Sequence, residues 1–198
     1  PRPFVWNDFT PSPRYTYRLN LDRDPDEILS SASSDLRSNV RKTDPDYYEI
    51  SAGGRAGMEQ IVTRAKRRHE EQDVSYDVTP AFVRDLSRAL EDSMASYVCT
   101  VEDEFVGGTI VLRDDRTVYR WQSVADFDAS VPAQDVLDWH VIREAIDDGR
   151  TQYDLVGANN PRLCEYKAKF APDVATYYEL ERSGTAMNAL KSVYSAVR

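Results

Sequence analysis

Three β-forming runs in close succession, Ser96–Val101, Phe105–Leu112 and Thr117–Val124, constrain this chain more than any other feature. They are joined by Glu102-Asp103-Glu104 and Asp114-Asp115-Arg116. Loops that short and polar connect antiparallel neighbours, so a three-strand meander is predicted. Gly107-Gly108 inside the middle run predicts a bulge or a close backbone approach. A loop, Asp126–Ser130, follows. Pro132 then opens a helix with Val136, Leu137, Val141, Ala145 and Ile146 on its apolar side, ending near Gly149. The next apolar run, Tyr153–Val156, reads as a strand. A sheet that begins as a meander and then receives a strand through a helical crossover is mixed, mostly antiparallel and flanked by helices. The fold class is α/β.

Upstream, Pro1–Arg14 (PRPFVWNDFTPSPR) is predicted to be a connector packing Phe4, Trp6 and Phe9 on a neighbouring surface. Its prolines argue against a regular helix or a central strand. Residues 15–198 then form one domain, beginning with a strand at Tyr15–Leu21. Asp24, Pro25 and Glu27 mark a helix start, and Ile28, Leu29, Ala32, Leu36 and Val40 fall on one face. This reads as one helix ending in Arg37–Lys42, with its last-turn cations favoured by the helix dipole. After Asp44-Pro45 comes a short strand, Tyr47–Ser51. Gly53-Gly54 turns into a helix striped with Met58, Ile61, Val62 and Ala65. Thr79-Pro80 starts another, burying Phe82, Val83, Leu86 and Leu90.

The stretch Gln152–Leu180 holds the candidate site. A Gly157-Ala158-Asn159-Asn160 turn sits off the end of an apolar strand, where open α/β sheets place ligands. A short helix and a strand at Ala175–Leu180 follow, and a last helix is predicted over Thr185–Val197 with Met187, Leu190, Val193 and Tyr194 on one side. Lys167 and Lys169 are two of only five lysines, against twenty arginines. They are either a solvated helix face or a cationic wall for an anionic substrate. Asp154 is either a turn residue or a general base. Asn159 and Asn160 either orient a substrate or cap the helix opened by Pro161. Arg120, Trp121 and Gln122 end the third meander strand, and because alternate residues face opposite ways, Arg120 or Gln122 can line the cleft.

Composition narrows the partners. The net charge of −9, with Asp abundant and Lys scarce, suits a protein kept soluble at high salt. A halophilic, archaeal, cytoplasmic source is the expectation, an ordinary acidic cytosolic protein the alternative. The acidic balance argues against non-specific duplex nucleic-acid binding. Cys99 and Cys164 form no disulfide framework. His69 and His140 lack metal-ligand spacing, so no metal is expected. No apolar run reaches membrane-spanning length, so no membrane insertion is expected. The chain begins with Pro1, which reads as cropped or processed.

Several segments, in this order, resemble the Gcn5-related N-acetyltransferase (GNAT) fold and, within it, the FemAB-like acyltransferases. Arg37-Ser38-Asn39-Val40-Arg41-Lys42 is similar to that family's R-x-N-[VI]-R-K-A segment. Phe105-Val106-Gly107-Gly108 is similar to its paired-glycine strand. Tyr153-Asp154-Leu155-Val156-Gly157 with Tyr166-Lys167-Ala168-Lys169-Phe170 resembles its Y-D-[FL]-x-G … [FY]-K-x-x-F signature. The resemblance spans Tyr15–Glu181. It implies acyl or aminoacyl transfer to an amine by direct attack, with no tightly bound cofactor and with aminoacyl-tRNA or acyl-CoA as donor. The implied acceptor is a small-molecule or peptide amine, and the implied partner is a second GNAT domain or a second copy. An archaeal source lacks the peptidoglycan precursor that the best-known members modify, so the acceptor does not carry over.

The resemblance raises Lys167 in particular, the lysine of the [FY]-K motif. Asp154 and Lys167 are the catalytic candidates, and Arg120, Trp121, Gln122, Gly157, Asn159, Asn160, Arg162, Tyr166 and Lys169 the substrate-binding candidates. One stretch departs from the wider fold. Acyl-CoA-binding members have a Gly-rich loop before the helix that follows the meander, whose N–H groups hold the pyrophosphate. Here Ala125–Asp135 has no glycine, three carboxylates and Pro132. The alternative function is therefore a catalytically silent half that binds substrate or dimerises within a longer transferase.

Overall fold

The computed structural model describes residues 1–182. In chain order these form α1 (Arg2–Val5), β1 (Thr10–Asn20), α2 (Pro25–Ser31), α3 (Ser34–Lys42), a 3-10 turn (Pro45–Tyr47), β2 (Glu49–Ala52), α4 (Gly54–Glu71), α5 (Pro80–Leu90), β3 (Met94–Val101), β4 (Glu104–Arg113), β5 (Thr117–Ala125), α6 (Ala133–Asp147), β6 (Gln152–Asp154), α7 (Pro161–Ala168) and β7 (Asp173–Glu181). The seven strands make one sheet in the order β2-β3-β4-β5-β6-β1-β7. Every neighbouring pair is antiparallel except β5 with β6, which the α6 crossover makes parallel. The expected mixed, mostly antiparallel sheet is thus present, and its meander is β3-β4-β5. The helix expected over Thr185–Val197 lies outside the described residues.

Strand alternation divides the core between the two faces. On one face Tyr97, Cys99, Val111, Val118 and Tyr153 pack under α2, α3 and α6. On the other Val98, Ile110 and Val124 pack under α4 and α5. The paired glycines let both layers approach. Val106 is an extra residue opposite β3, where the register shifts between Cys99 and Thr100. Beyond this bulge a Cβ on Gly107 would come within 3.2 Å of Leu137 in α6. One on Gly108 would come within 2.5 Å of Ile61 in α4.

Four local expectations are corrected. The helix expected to run unbroken from Asp24 to Lys42 is two helices. Ser33 caps the second with its hydroxyl, accepting from Leu36 N, and gives its own N–H to the Lys169 carbonyl at 2.7 Å. Serine competes well for such termini. Phe82, expected in the core, is half exposed at the rim beside Trp121, while Val83 is buried. β1 starts at Thr10, inside the segment expected to be a connector, despite Pro11 and Pro13. In β1 the backbones of Tyr15 and Tyr17 point away from β7, toward the chain after β6. Pro11 and Pro13 share that parity, so their missing N–H groups cost no bond to β7. Finally, Arg2–Val5 of the same segment is a helical turn, with Phe9 edge-on to Phe4 at 5.9 Å and Trp6 exposed.

Candidate active site

Parallel strands β5 and β6 pair for only three residues, from Thr117 opposite Gln152 to Tyr119 opposite Asp154. They then separate. β6 ends, and Leu155 N donates instead to Tyr17 of β1. The gap is a wedge whose walls are Arg120 onward on one side and the turn Leu155–Asn160 on the other.

The turn is strained and tightly held. Val156 has φ +51°, a left-handed conformation that a β-branched residue adopts only at a cost, and Gly157 follows at +76°. Asp154 is buried. Its Oδ1 accepts from Val156 N at 2.8 Å and from the Thr16 hydroxyl at 2.5 Å, and its Oδ2 accepts from Arg18 Nε at 3.1 Å. The Thr16 hydroxyl in turn accepts from Gly157 N at 3.2 Å. Asn159 continues the ladder where β6 has stopped, accepting from Tyr15 N at 3.1 Å and donating to Tyr15 O at 3.0 Å. Asn160 caps α7, accepting from Arg162 N at 3.0 Å.

From α7, Lys167 points back beneath this turn with only 5% of its surface exposed. Its Nζ donates to the carbonyls of Val156 and, at 2.8 Å, Gly157. Burial, then the charge of Arg120, pushes its amine down to about 8. The expected lysine pair divides here. Lys169 at the helix end lies 5.5 Å from the Tyr166 ring and does not share the Lys167 position. Arg162 is exposed on the first turn of α7, and its charge, after burial, lowers the proton affinity of Arg68. Arg68 donates to Ala125 O at 2.9 Å and stacks 4.0 Å above the exposed Phe127 ring.

Arg120 reaches the same chamber. Its Nε lies 2.8 Å from Oδ1 of Asp138, on α6, which has no exposed side-chain surface. That carboxylate also accepts from Tyr153 OH at 2.9 Å, Tyr166 OH at 2.8 Å and Gln134 Nε2 at 3.2 Å. Burial, then Asp138, raises both phenols well above their ordinary range. Arg120 also lies 5.5 Å from the Tyr166 ring. Trp121 and Gln122 are not brought to this chamber. The β4–β5 register shifts at Trp121, and that bulge puts Trp121 beside Phe82 and Gln122 against Tyr76 OH at 2.9 Å, on the α4–α5 face. Simple alternation would have placed Gln122 with Arg120; the extra residue reverses the parity.

Asp138 is the residue that the motif-based reading missed. Its signal was a carboxylate in the apolar stripe of α6, in line with Val141 and Ala145. Asp135, also buried, accepts from Asn39 Nδ2 at 2.6 Å and so ties α6 to the Arg37–Lys42 segment. An open groove of about 540 Å³ lies elsewhere, between α3, β2 and the outer side of α6. Its Glu144 is already shared by Tyr97 and, at 2.8 Å, Arg113. No group of His, Cys, Asp and Glu among the described residues is suited to hold a metal ion. No helix among them is long and apolar enough to cross a membrane.

The model of a family described as an acetyltransferase (GNAT) domain matches residues 30–168, which include α6, the wedge and Lys167. This chain belongs to the GNAT acetyltransferase family. Among proteins of curated function, none matches it. Solved structures share the GNAT architecture seen here. FemX superposes with a TM-score of 0.73 at 11% identity, over 89% of this chain and 67% of its own. The C-terminal domain of an Agrobacterium fabrum protein named as a lysylphosphatidylglycerol synthetase gives 0.65 at 13%, over 98% and 68%. L-PGS from Bacillus licheniformis gives 0.61 at 10%, over 94% and 66%. At these identities the likeness is one of fold. The GNAT chain described here spans about two-thirds of each of these structures.

Proposed function

We propose that this GNAT domain transfers an acyl or aminoacyl group to a substrate amine in the β5–β6 wedge. The observation that carries the proposal is Lys167, a buried amine lowered to about 8 at the point where the strands part. The acceptor nitrogen attacks the carbonyl carbon of the donor directly. The C–O or C–S bond to the donor breaks, and the proton shed by the acceptor passes to neutral Lys167 or to water. Asp154 acts by holding the turn, since its two oxygens already accept three hydrogen bonds. Tyr166, Arg120, Gly157 and Asn159 shape the chamber; Arg162 and Lys169 stand at its rim and meet the anionic part of the donor.

An aminoacyl ester suits the wedge better than a CoA thioester. The loop ahead of α6 carries Asp126 and Asp128, and Pro132 precedes the helix with no N–H to offer. Ala133 N and Asp135 N are already bonded to Val131 O at 2.8 Å and Pro132 O at 2.9 Å. A pyrophosphate has little to bind there. The name of the Agrobacterium neighbour, a synthetase of lysylated phosphatidylglycerol, also points to aminoacyl transfer. The same loop favours a second reading, a silent half that supports chemistry in an adjoining domain.

Calorimetric titration with acetyl-CoA, set beside a mass-spectrometric assay of transfer from aminoacyl-tRNA to a panel of amines, tests these readings. Transfer that Lys167→Ala abolishes, without acetyl-CoA binding, is the expected result. Tight acetyl-CoA binding would overturn the choice of donor. Transfer undiminished in Lys167→Ala of unchanged stability would overturn the role of Lys167. Neither binding nor transfer would favour the silent half.

A further inference from the structure

The outer side of α6 presents a second stripe, away from the wedge. Val136, Trp139, His140, Arg143, Glu144 and Asp147 follow one another at helical spacing along the groove of about 540 Å³. From Val136 to Asp147 the helix runs about 16 Å. Across from it stand Val40 of α3 and Tyr48 and Ile50 at β2. These three and Trp139 pack against the main core yet remain only partly buried. A mostly apolar groove of this volume with a few polar groups at one end is the usual form of a small-molecule site.

The polar end is built around Glu144. Its Oε1 is occupied, since Tyr97 OH donates to it and Arg113 Nη2 donates both to it, at 2.8 Å, and to Tyr97 OH. Those bonds fix the carboxylate. Its Oε2 has no hydrogen-bond donor among the described residues, because His140 Nε2 lies 3.7 Å away. Burial holds His140 below its ordinary range against the opposing pull of Glu144, so the ring is largely neutral at pH 7. The preceding residue, Arg143, is exposed and has no carboxylate partner among the described residues. Asp147, one turn further on, is exposed and equally unpaired.

We propose that this groove binds an α-amino acid with a large apolar side chain. The ammonium meets Glu144 Oε2 and Asp147, near the end of α6 that the helix dipole makes negative. The carboxylate meets Arg143, and neighbouring residues of one helix suit two charges carried on one carbon. The side chain lies along Trp139 and Tyr48 toward Ile50, over apolar surface that the fold leaves open. A simple cation would be repelled by Arg143, and an uncharged ligand would leave all three charges unmet. The site is distinct from the wedge, toward which the same helix turns Asp138. It does not depend on which acyl group is transferred.

Calorimetric titration of the intact chain with L-phenylalanine, L-phenylalaninamide and N-acetyl-L-phenylalanine tests the assignment. The amide lacks the carboxylate and the N-acetyl compound lacks the ammonium, so each is expected to bind about tenfold more weakly. Arg143→Gln is expected to weaken L-phenylalanine about tenfold while leaving the amide unaffected. Glu144→Gln is expected to weaken L-phenylalanine while leaving the N-acetyl compound unaffected. Asp147→Asn replaces that variant should it fail to fold, which circular dichroism reports. Equal affinity for the three compounds, or no binding of L-phenylalanine at millimolar concentration, overturns the proposal. Binding that Lys167→Ala removes and Arg143→Gln leaves intact also overturns it and puts the amino acid in the wedge. A dimer in light scattering that Trp139→Arg dissociates overturns it too and gives the groove to a second copy of the chain. Binding by a monomer that Arg143→Gln weakens and Lys167→Ala retains supports it.

Discussion

Oδ1 of Asp138 lies 2.8 Å from Nε of Arg120, with 0% and 9% of their side-chain surfaces exposed. The pair is the centre of a buried polar cluster, since the same carboxylate receives both Tyr153 and Tyr166. Burying two charges is costly, and removing one leaves the other without compensation. Asp138→Ala is therefore expected to cost roughly 3–5 kcal/mol in urea denaturation. The double variant Arg120→Met, Asp138→Leu is expected to cost clearly less than Asp138→Ala alone, because no charge is then stranded. Equal losses in the two variants would mean that the phenol hydrogen bonds, and not the ion pair, dominate.

Asp154 is expected to behave as a structural carboxylate. Asp154→Asn keeps the shape but removes the charge facing Arg18, and its amide can satisfy only part of the set Thr16, Arg18 and Val156 N. A loss of about 1–3 kcal/mol follows from hydrogen bonds to a charged group. Thermal unfolding of this variant beside Arg18→Gln checks the assignment. Asp154→Asn that keeps full stability yet abolishes transfer would make the residue a base after all.

The meander, the crossover and the fold class were legible because each rests on local pattern: alternating runs, short polar loops, a proline at a helix start. The places where the chain departed from expectation are set by distant partners. No local rule announces that Ser33 will meet the Lys169 carbonyl and split a helix in two. Pro11 and Pro13 look like strand breakers until β6 is seen to end short of them, leaving their side of β1 without a neighbour. Lys167 was legible as a residue of interest, but its burial and its grip on the turn depend on folding α7 against the sheet. The single bulge at Trp121 decided which of Arg120, Trp121 and Gln122 face the wedge. One added residue is invisible to a period-two argument.

Gly108 makes the packing of α4 testable. A Cβ there would lie 2.5 Å from Cγ1 and 2.8 Å from Cδ1 of Ile61, itself fully buried. Gly108→Ala is expected to destabilise by about 1–3 kcal/mol through overpacking. Ile61→Ala in the same background removes the clashing atoms, so the double variant should be more stable than the sum of the two single losses. Chemical denaturation of the four proteins measures that coupling, and strict additivity would show that the helix simply moves away.

Lys167 gives a stability signature that needs no substrate. Its amine titrates at about 8 in the folded chain against an ordinary 10.5. Below about 8 both folded and unfolded chains hold the proton, and the folded state bears the full cost of a buried charge. Between about 8 and 10 the unfolded chain binds more protons than the folded one, so stability rises with pH. At one unit per about 1.4 kcal/mol, the rise across that window is on the order of 2–3 kcal/mol. Above 10 the sign reverses, because Tyr153 and Tyr166 keep their protons in the folded chain and lose them in the unfolded one. Lys167→Met should abolish the rise between 8 and 10 while leaving the fall above 10 in place. Urea denaturation of parent and variant at half-unit steps measures the difference, and parallel curves would mean that Lys167 titrates as an ordinary surface amine.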